Sequence, residues 1–342
     1  VIVEGISTKI PDGPVGGAAK PTIGWSTVRE QVVKNRTALA LPAILLLVAV
    51  IGGANTPGFF AAENLEAILR NAALVGIGAV GMALVTVSGN FISLSVQQQA
   101  MLAAMLLAAT LSDGWSLGAA LPVIVLAVLV ISIVQGGFVA LGLNPVIATL
   151  AVGSIIYGGV QAVAGGKNIS FDTGPVSWLT DGKVLGLPSS IFLFLGAAVL
   201  GGIFVRNTVL GRQMRLSGEN REAAELSGIS AAKVAVYAFI GLGLALTLSG
   251  ILGASEVGNA QGTMLETLSI DVATAVLVGG VAIAGGEGSP VRAAIGAVFI
   301  SLLNNLMILH DFSAGARQLI SGLVLMMAVI LVHVLRGSGA SS

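Results

Sequence analysis

Long apolar runs separated by short polar turns fill this chain from about residue 37 to residue 335. A membrane-crossing helix needs about 20 mostly apolar residues for a hydrocarbon core about 30 Å thick. By that measure the pattern predicts ten spans. The first five are 37–54, 71–88, 96–112, 117–141 and 145–164. The last five are 190–205, 234–254, 270–285, 291–309 and 315–335. Glycines and short length mark 145–164 and 270–285 as the two most open to being broken. The predicted fold class is all-α, a polytopic transmembrane domain over 37–336. Short tails flank it at 1–36 and 337–342. Residues 1–24 lack the basic-then-apolar order of an export signal and read as a flexible tail.

One interval breaks the pattern. Residues 206–233 carry Arg206, Arg212, Arg215, Arg221 and Lys233, with Glu219, Glu222 and Glu225 among them. Within it, 216–220 reads as a loop and 221–227 as a short helix. Asn220 is placed to cap that helix, Glu222 sits near its positive end, and Gly228 suits the left-handed residue that terminates it. Ala223, Ala224 and Leu226 would form a small docking face. An ordinary basic loop would account for the charges equally well.

Composition agrees with the apolar pattern. Of 342 residues, 9% are charged against 55% hydrophobic, and mean hydropathy is +0.98. Soluble domains carry about 25% charged residues, so lipid is the natural solvent for most of these side chains. The net charge of zero points to no nucleic acid or other polyanion. No cysteine is present, and His310 and His333 stand without a metal-ligand cluster around them. With ten spans, 12 basic residues fall on the side of the termini and the charged island, against 4 on the other. The positive-inside rule then makes both termini and the island cytoplasmic. The loop 165–189 would face outward.

Two stretches, 76–95 and 273–291, both run from a glycine-laced helix into a Gly/Ser turn. Duplicated halves would explain that, and so would close helix packing. Gly76, Gly78 and Gly81 likewise fit either hinges or packing positions. Spans nearly free of ionisable residues count against ion-coupled transport; Asp271 and His333 lie near span ends and read as structural. Uncharged polar groups are the better substrate-path candidates: Ser93, Ser95, Asn144, Asn259, Gln261, Asn304 and Asn305. Asn304 and Asn305 must either bond across helices or line a wet cavity, since an unpaired buried amide is costly. The run Gln97-Gln98-Gln99 reads as a solvent-exposed start to the third span.

The run GENREAAELSGI at 218–229 resembles the EAA coupling loop of ABC importer permeases, and more narrowly that of the ribose/xylose-type sugar permeases. NPVIATL (144–150), LGR (210–212), VGG with AGGEG (278–288) and LLNN (302–305) are similar to that family's segments, in its order. The resemblance covers about residues 40–335 and implies a type II importer-like fold. It assigns ATPase coupling to Gly218, Asn220, Glu222, Ala223, Ala224 and Gly228. It further implies a separate ATPase subunit, a periplasmic sugar-binding protein, a second permease copy or paralogue, and the bacterial inner membrane with its lipid. The chain has no G-x-x-x-x-G-K-[ST], so ATP and Mg belong on the partner and no cofactor on this chain. Two departures put the cargo in question. Ser93 stands where most relatives have an acid, in a segment ending at Gln97 rather than glycine, and Ser269 opens the 269–275 segment where relatives often have an acid. A branched amino acid, an autoinducer-type furanose, an ion-coupled carrier and a structural subunit remain the alternatives.

Overall fold

The computed structural model describes residue 47 and residues 51–337, with side chains through residue 330. Nearly all of both predicted tails and most of the 37–54 span, with the His333 side chain, fall outside the described residues.

The described chain is mostly helical. In order it runs α1 (Ala62–Val87), α2 (Val96–Ser112), α3 (Leu117–Ala140), α4 (Pro145–Ala164), β1 (Ile169–Ser170) and α5 (Ser177–Thr180). A hairpin of β2 (Lys183–Val184) and β3 (Leu187–Pro188) leads into α6 (Ser189–Asn207), α7 (Val209–Glu219) and α8 (Arg221–Leu226). Then come α9 (Ala231–Val257), β4 (Asn259–Ala260), α10 (Leu268–Val278), α11 (Pro290–Leu309) and α12 (Ala314–Gly337). Among the described residues six helices, α1, α3, α4, α6, α9 and α11, are long and apolar enough to cross a membrane. That is fewer than ten. The 96–112 segment forms a helix of 17 residues with a glutamine-rich first turn, and α10 has only 11.

Of the two doubtful segments, 145–164 is one unbroken helix of 20 residues, started by Pro145 and stopped by left-handed Gly165 (φ 58°). The other is broken. α10 ends at Val278, and 279–289 runs as turns, with Gly280, Gly285, Gly286 and Gly288 at positive φ. These turns lie against the end of α1 and the last turn before α8, where the Gly286 amide donates to the Val87 carbonyl.

α1 is the axis of the bundle. Its apolar stretch is 83% buried, whereas that of α3 is 22% buried and turns an apolar surface outward. The glycines of α1 explain how it is surrounded. A Cβ at Gly76 would lie 2.1 Å from the Phe194 ring of α6, and one at Gly78 2.9 Å from Val272 of α10. One at Gly81 would lie 2.5 Å from Ala245 of α9. Each glycine admits a different neighbour, so close packing accounts for all three.

The core divides along the helix axes. One cluster gathers Val87, Val205, Met214, Val234 and Leu277 near the α8 end. The other gathers Met101, Phe171, Leu179, Phe194 and Ile251 toward the opposite end. There β1 pairs with β4, Ser170 facing Asn259, and Lys183 of the hairpin is ion-paired with Glu66 of α1. Arg70 and Arg317 share this end, and the basic island lies at the other.

Candidate functional site

The charged island folds as two helices set end to end. Thr208 Oγ1 accepts from the Gly211 amide at 3.0 Å and starts α7. The helix continues through Glu219, so 216–219 is its last turn and not the predicted loop. Tertiary packing overrides the local signal here. A Cβ on Gly218 would stand 2.1 Å from the Val87 carbonyl and 2.4 Å from the Gly286 amide nitrogen. Only a bare α-carbon fits. Gly89 and Gly285 complete the contact: a Cβ on Gly285 would be 2.5 Å from the Gly89 Cα, and the Gly286 amide donates to the Val87 carbonyl at 3.0 Å. Three segments distant in sequence thus meet backbone to backbone.

α8 follows at once. Asn220 Oδ1 accepts from the Ala223 amide at 3.0 Å, the predicted N-cap. At the other end the Gly228 amide donates to Glu225 and the Ile229 amide to Ala224, at 3.0 and 2.9 Å. With Gly228 at φ 80°, this is a Schellman termination. Glu222 is exposed in the first turn. The docking face differs from the expected one in one residue. Ala224 is buried against the rest of the chain, while Ala223 is exposed and Leu226 is 85% exposed. Leu226 cannot follow Ala224 inward because, two residues on, it points to the opposite side of the helix. Behind α8 lies a cavity of about 210 Å³, lined by Ser88, Asn90, Ser217 and Arg221 among others.

The substrate-path candidates do not converge. Ser93 and Ser95 are fully buried and belong to a polar cluster between α2 and α3. Gln99 donates to Ser95 Oγ at 3.0 Å and to Gln135 Oε1 at 2.7 Å. Gln135 Nε2 donates to Ser95 Oγ at 2.7 Å, and Ser132 to Gln99 Oε1 at 3.2 Å. The glutamine run is therefore not an exposed helix start: Gln99 has no exposed surface, and Gln97 and Gln98 are half-buried. Asn144 is exposed and caps α4, accepting from the Val146 amide at 2.9 Å. Asn259 and Gln261 sit half-buried at and beside β4, near the Lys183 end.

Asn304 and Asn305 take one role each. Asn305 pairs with Asn64 of α1 through two amide hydrogen bonds, of 2.7 and 3.1 Å. Asn304 lines a cavity of about 280 Å³ between α1, α10, α11 and α12. Its Nδ2 donates to Asp271 Oδ1 at 3.4 Å. Asp271 is thus a wall of that cavity, only 4% exposed. Asn71, Ser301 and Arg317 share the lining. Along α1 the cavity is about 24 Å from the α8 end, at ~1.5 Å per residue from Asn71 to Val87.

Gln135 carried a signal, being a polar side chain inside an otherwise apolar span. Asn64 and Ser301 carried none. Among the described residues no His, Asp and Glu side chains gather into a metal-ligand set.

Residues 64–330 match the family described as "Branched-chain amino acid transport system / permease component". The ribose import permease protein RbsC of Haemophilus influenzae is 30% identical over 84% of this chain and 90% of its own length. The autoinducer 2 import system permease protein LsrC of Enterobacter sp. (strain 638) is 29% identical over 88% of each. A probable ABC transporter permease, YphD of Escherichia coli K12, is 28% identical over 89% of this chain and 92% of its own. No solved structure matches. A match of this extent, on a multi-pass helical bundle, makes the chain a member of the family of ABC transport-system permease components.

Proposed function

We propose that this chain is the membrane-spanning permease subunit of an ATP-driven, binding-protein-dependent importer, carrying a neutral sugar or sugar-like polyol across the inner membrane. The carrying observation is the construction of α8. It is a short helix capped at both ends, with its root held by the backbone contact of Gly218, Gly89 and Gly285. A push on its exposed Ala223, Glu222 and Leu226 side passes into α1 and the 279–289 segment without flexible side chains to absorb it. Asn220 and Gly228 fix the direction of the helix, and Ala224 seats it.

In this reading an ATPase subunit holds the ATP and Mg and docks on α8, and the chain itself hydrolyses nothing and carries no cofactor. A periplasmic sugar-binding protein docks at the Lys183 end, and two permease copies or paralogues pair. The termini are cytoplasmic, and the full bundle has about ten crossings in a type II importer-like arrangement. The cargo class is supported by the ribose and autoinducer 2 named for the relatives. The family description names branched-chain amino acids, which is the second reading of the cargo.

The test is Gly228→Val in the reconstituted permease–ATPase complex. A Cβ at φ 80° is strained, so the end of α8 should rearrange. ATP hydrolysis is then expected to continue without sugar uptake while the permease reaches the membrane in normal amount. Normal uptake at normal abundance would sink the coupling role. Uptake that survives loss of ATP but stops with an uncoupler would mean an ion-coupled carrier instead.

A further inference from the structure

The cavity between α1, α10, α11 and α12 offers more hydrogen-bonding capacity than its own walls use. Ser301 has no exposed surface, yet its Oγ has no hydrogen-bond partner. Several other buried helical hydroxyls bond one turn back in their own helix. Thr247 donates to the Gly243 carbonyl at 2.9 Å, and Ser255 to Ile251 and Thr274 to Ile270, both at 2.7 Å. That route is generally open to a helical serine by rotation of χ1. Ser301 does not take it. Arg317 Nε, which borders the same cavity, is likewise buried without a partner.

Charge selects the kind of occupant. Asp271 and Arg317 bring one charge of each sign, so neither a lone cation nor a lone anion gains net attraction. What the walls offer is a mixture. Arg317 and the amides of Asn71 and Asn304 donate, Asp271 accepts, and Ser301 can do either. A molecule with hydroxyls on successive carbons presents donors and acceptors in the same mixture, whereas an aliphatic amino acid could pair its ammonium and carboxylate with Asp271 and Arg317 but would set its side chain against Asn71, Asn304 and Ser301. The volume of about 280 Å³ is near the lower end of ligand pockets, roughly 300–1,000 Å³, and suits a small solute.

We infer that this cavity is a binding site for a neutral polyhydroxylated molecule of tetritol to pentose size, held entirely within one copy of the chain. The inference rests on the importer reading for its cargo class and adds a place where the solute stops, with Ser301 Oγ and Arg317 Nε, which have no partner within the protein, among the groups it engages.

The test uses the full chain in lipid nanodiscs, with D-ribose and erythritol as probes. Saturation-transfer NMR and a probe-dependent rise in Tm are read on the wild type, Ser301→Val and Asn304→Leu. Transfer to at least one probe is expected in the wild type, with affinity reduced about ten-fold by Ser301→Val, the loss of one good hydrogen bond. The ligand-free Tm of Ser301→Val should be unchanged or higher, because the hydroxyl has no bond to lose. Absence of transfer from both probes at millimolar concentration, or wild-type affinity in both variants, would overturn the site. So would a fall in the ligand-free Tm of Ser301→Val, which would make the hydroxyl a structural bond. ATP-driven sugar uptake without binding in this cavity would overturn the site and leave the importer reading standing. Binding here without ATP-driven uptake would do the reverse.

Discussion

Around Gly218 the segments meet backbone against backbone, whereas around Ser301 side chains, several of them polar, enclose a cavity. The first contact has no rotamers. Displacing one of its members must displace the others, because close-packed groups transmit strain rather than absorb it. The second region can change shape by side-chain rotation alone. The proposed reception of a push and the proposed accommodation of a solute call for these opposite properties, and one helix, α1, joins them.

The sharpest way to break this comparison is to put a side chain into the rigid end. Gly218→Val would place carbon at 2.1 Å from the Val87 carbonyl, with no flexible atom able to give way. A loss of about 3 kcal/mol or more is expected from such overpacking, read as a lower denaturation midpoint in mixed micelles together with loss of ATPase binding. A variant of wild-type stability would show that the contact yields, and the contrast between the two ends would fail.

A smaller effect is expected near the cavity end. Asn305→Leu takes away the donor to Asn64 Oδ1, while Asn64 Nδ2 keeps its bond to the Phe59 carbonyl, at a cost of about 1–3 kcal/mol. Asn64→Leu, which breaks the pair and the Phe59 bond together, should cost more. If Asn305→Leu costs nothing, the paired amides are not what joins α1 to α11.

The least effect belongs to the surface of α8. Arg221 and Glu225 are 3.4 Å apart, and each is more than half exposed. Water and salt screen such a pair, so Arg221→Gln should change the denaturation midpoint by no more than about 0.5 kcal/mol. A larger shift would mean that Arg221 supports the fold from its place beside the cavity behind α8.

How much of this was legible in the sequence follows from the range of each interaction. The Asn220 cap and the Gly228 stop were readable because a cap is made within three or four residues of itself. The last turn of α7 was not, since Gly218 is held helical by Val87 and Gly286, which the local string does not reveal. The glutamine run misled for the same reason. Gln99 is buried only because Gln135 of the next helix turns inward to meet it. Asp271 lies near the start of α10, and its setting depends on Asn304 from another helix. The short α10 was visible only as a weakness, because an apolar sequence does not say whether its glycines will bend the chain back.

The glycine contact also sets a schedule for synthesis. Its members come from before α2, from the end of α7 and from after α10. Contacts so remote in sequence pay their chain-closure entropy before they are rewarded. The seat of α8 therefore cannot be finished until Gly286 has left the ribosome. Until then the root of α8 lacks one wall, so a firmly seated α8 is itself a sign that the chain has been made at least that far.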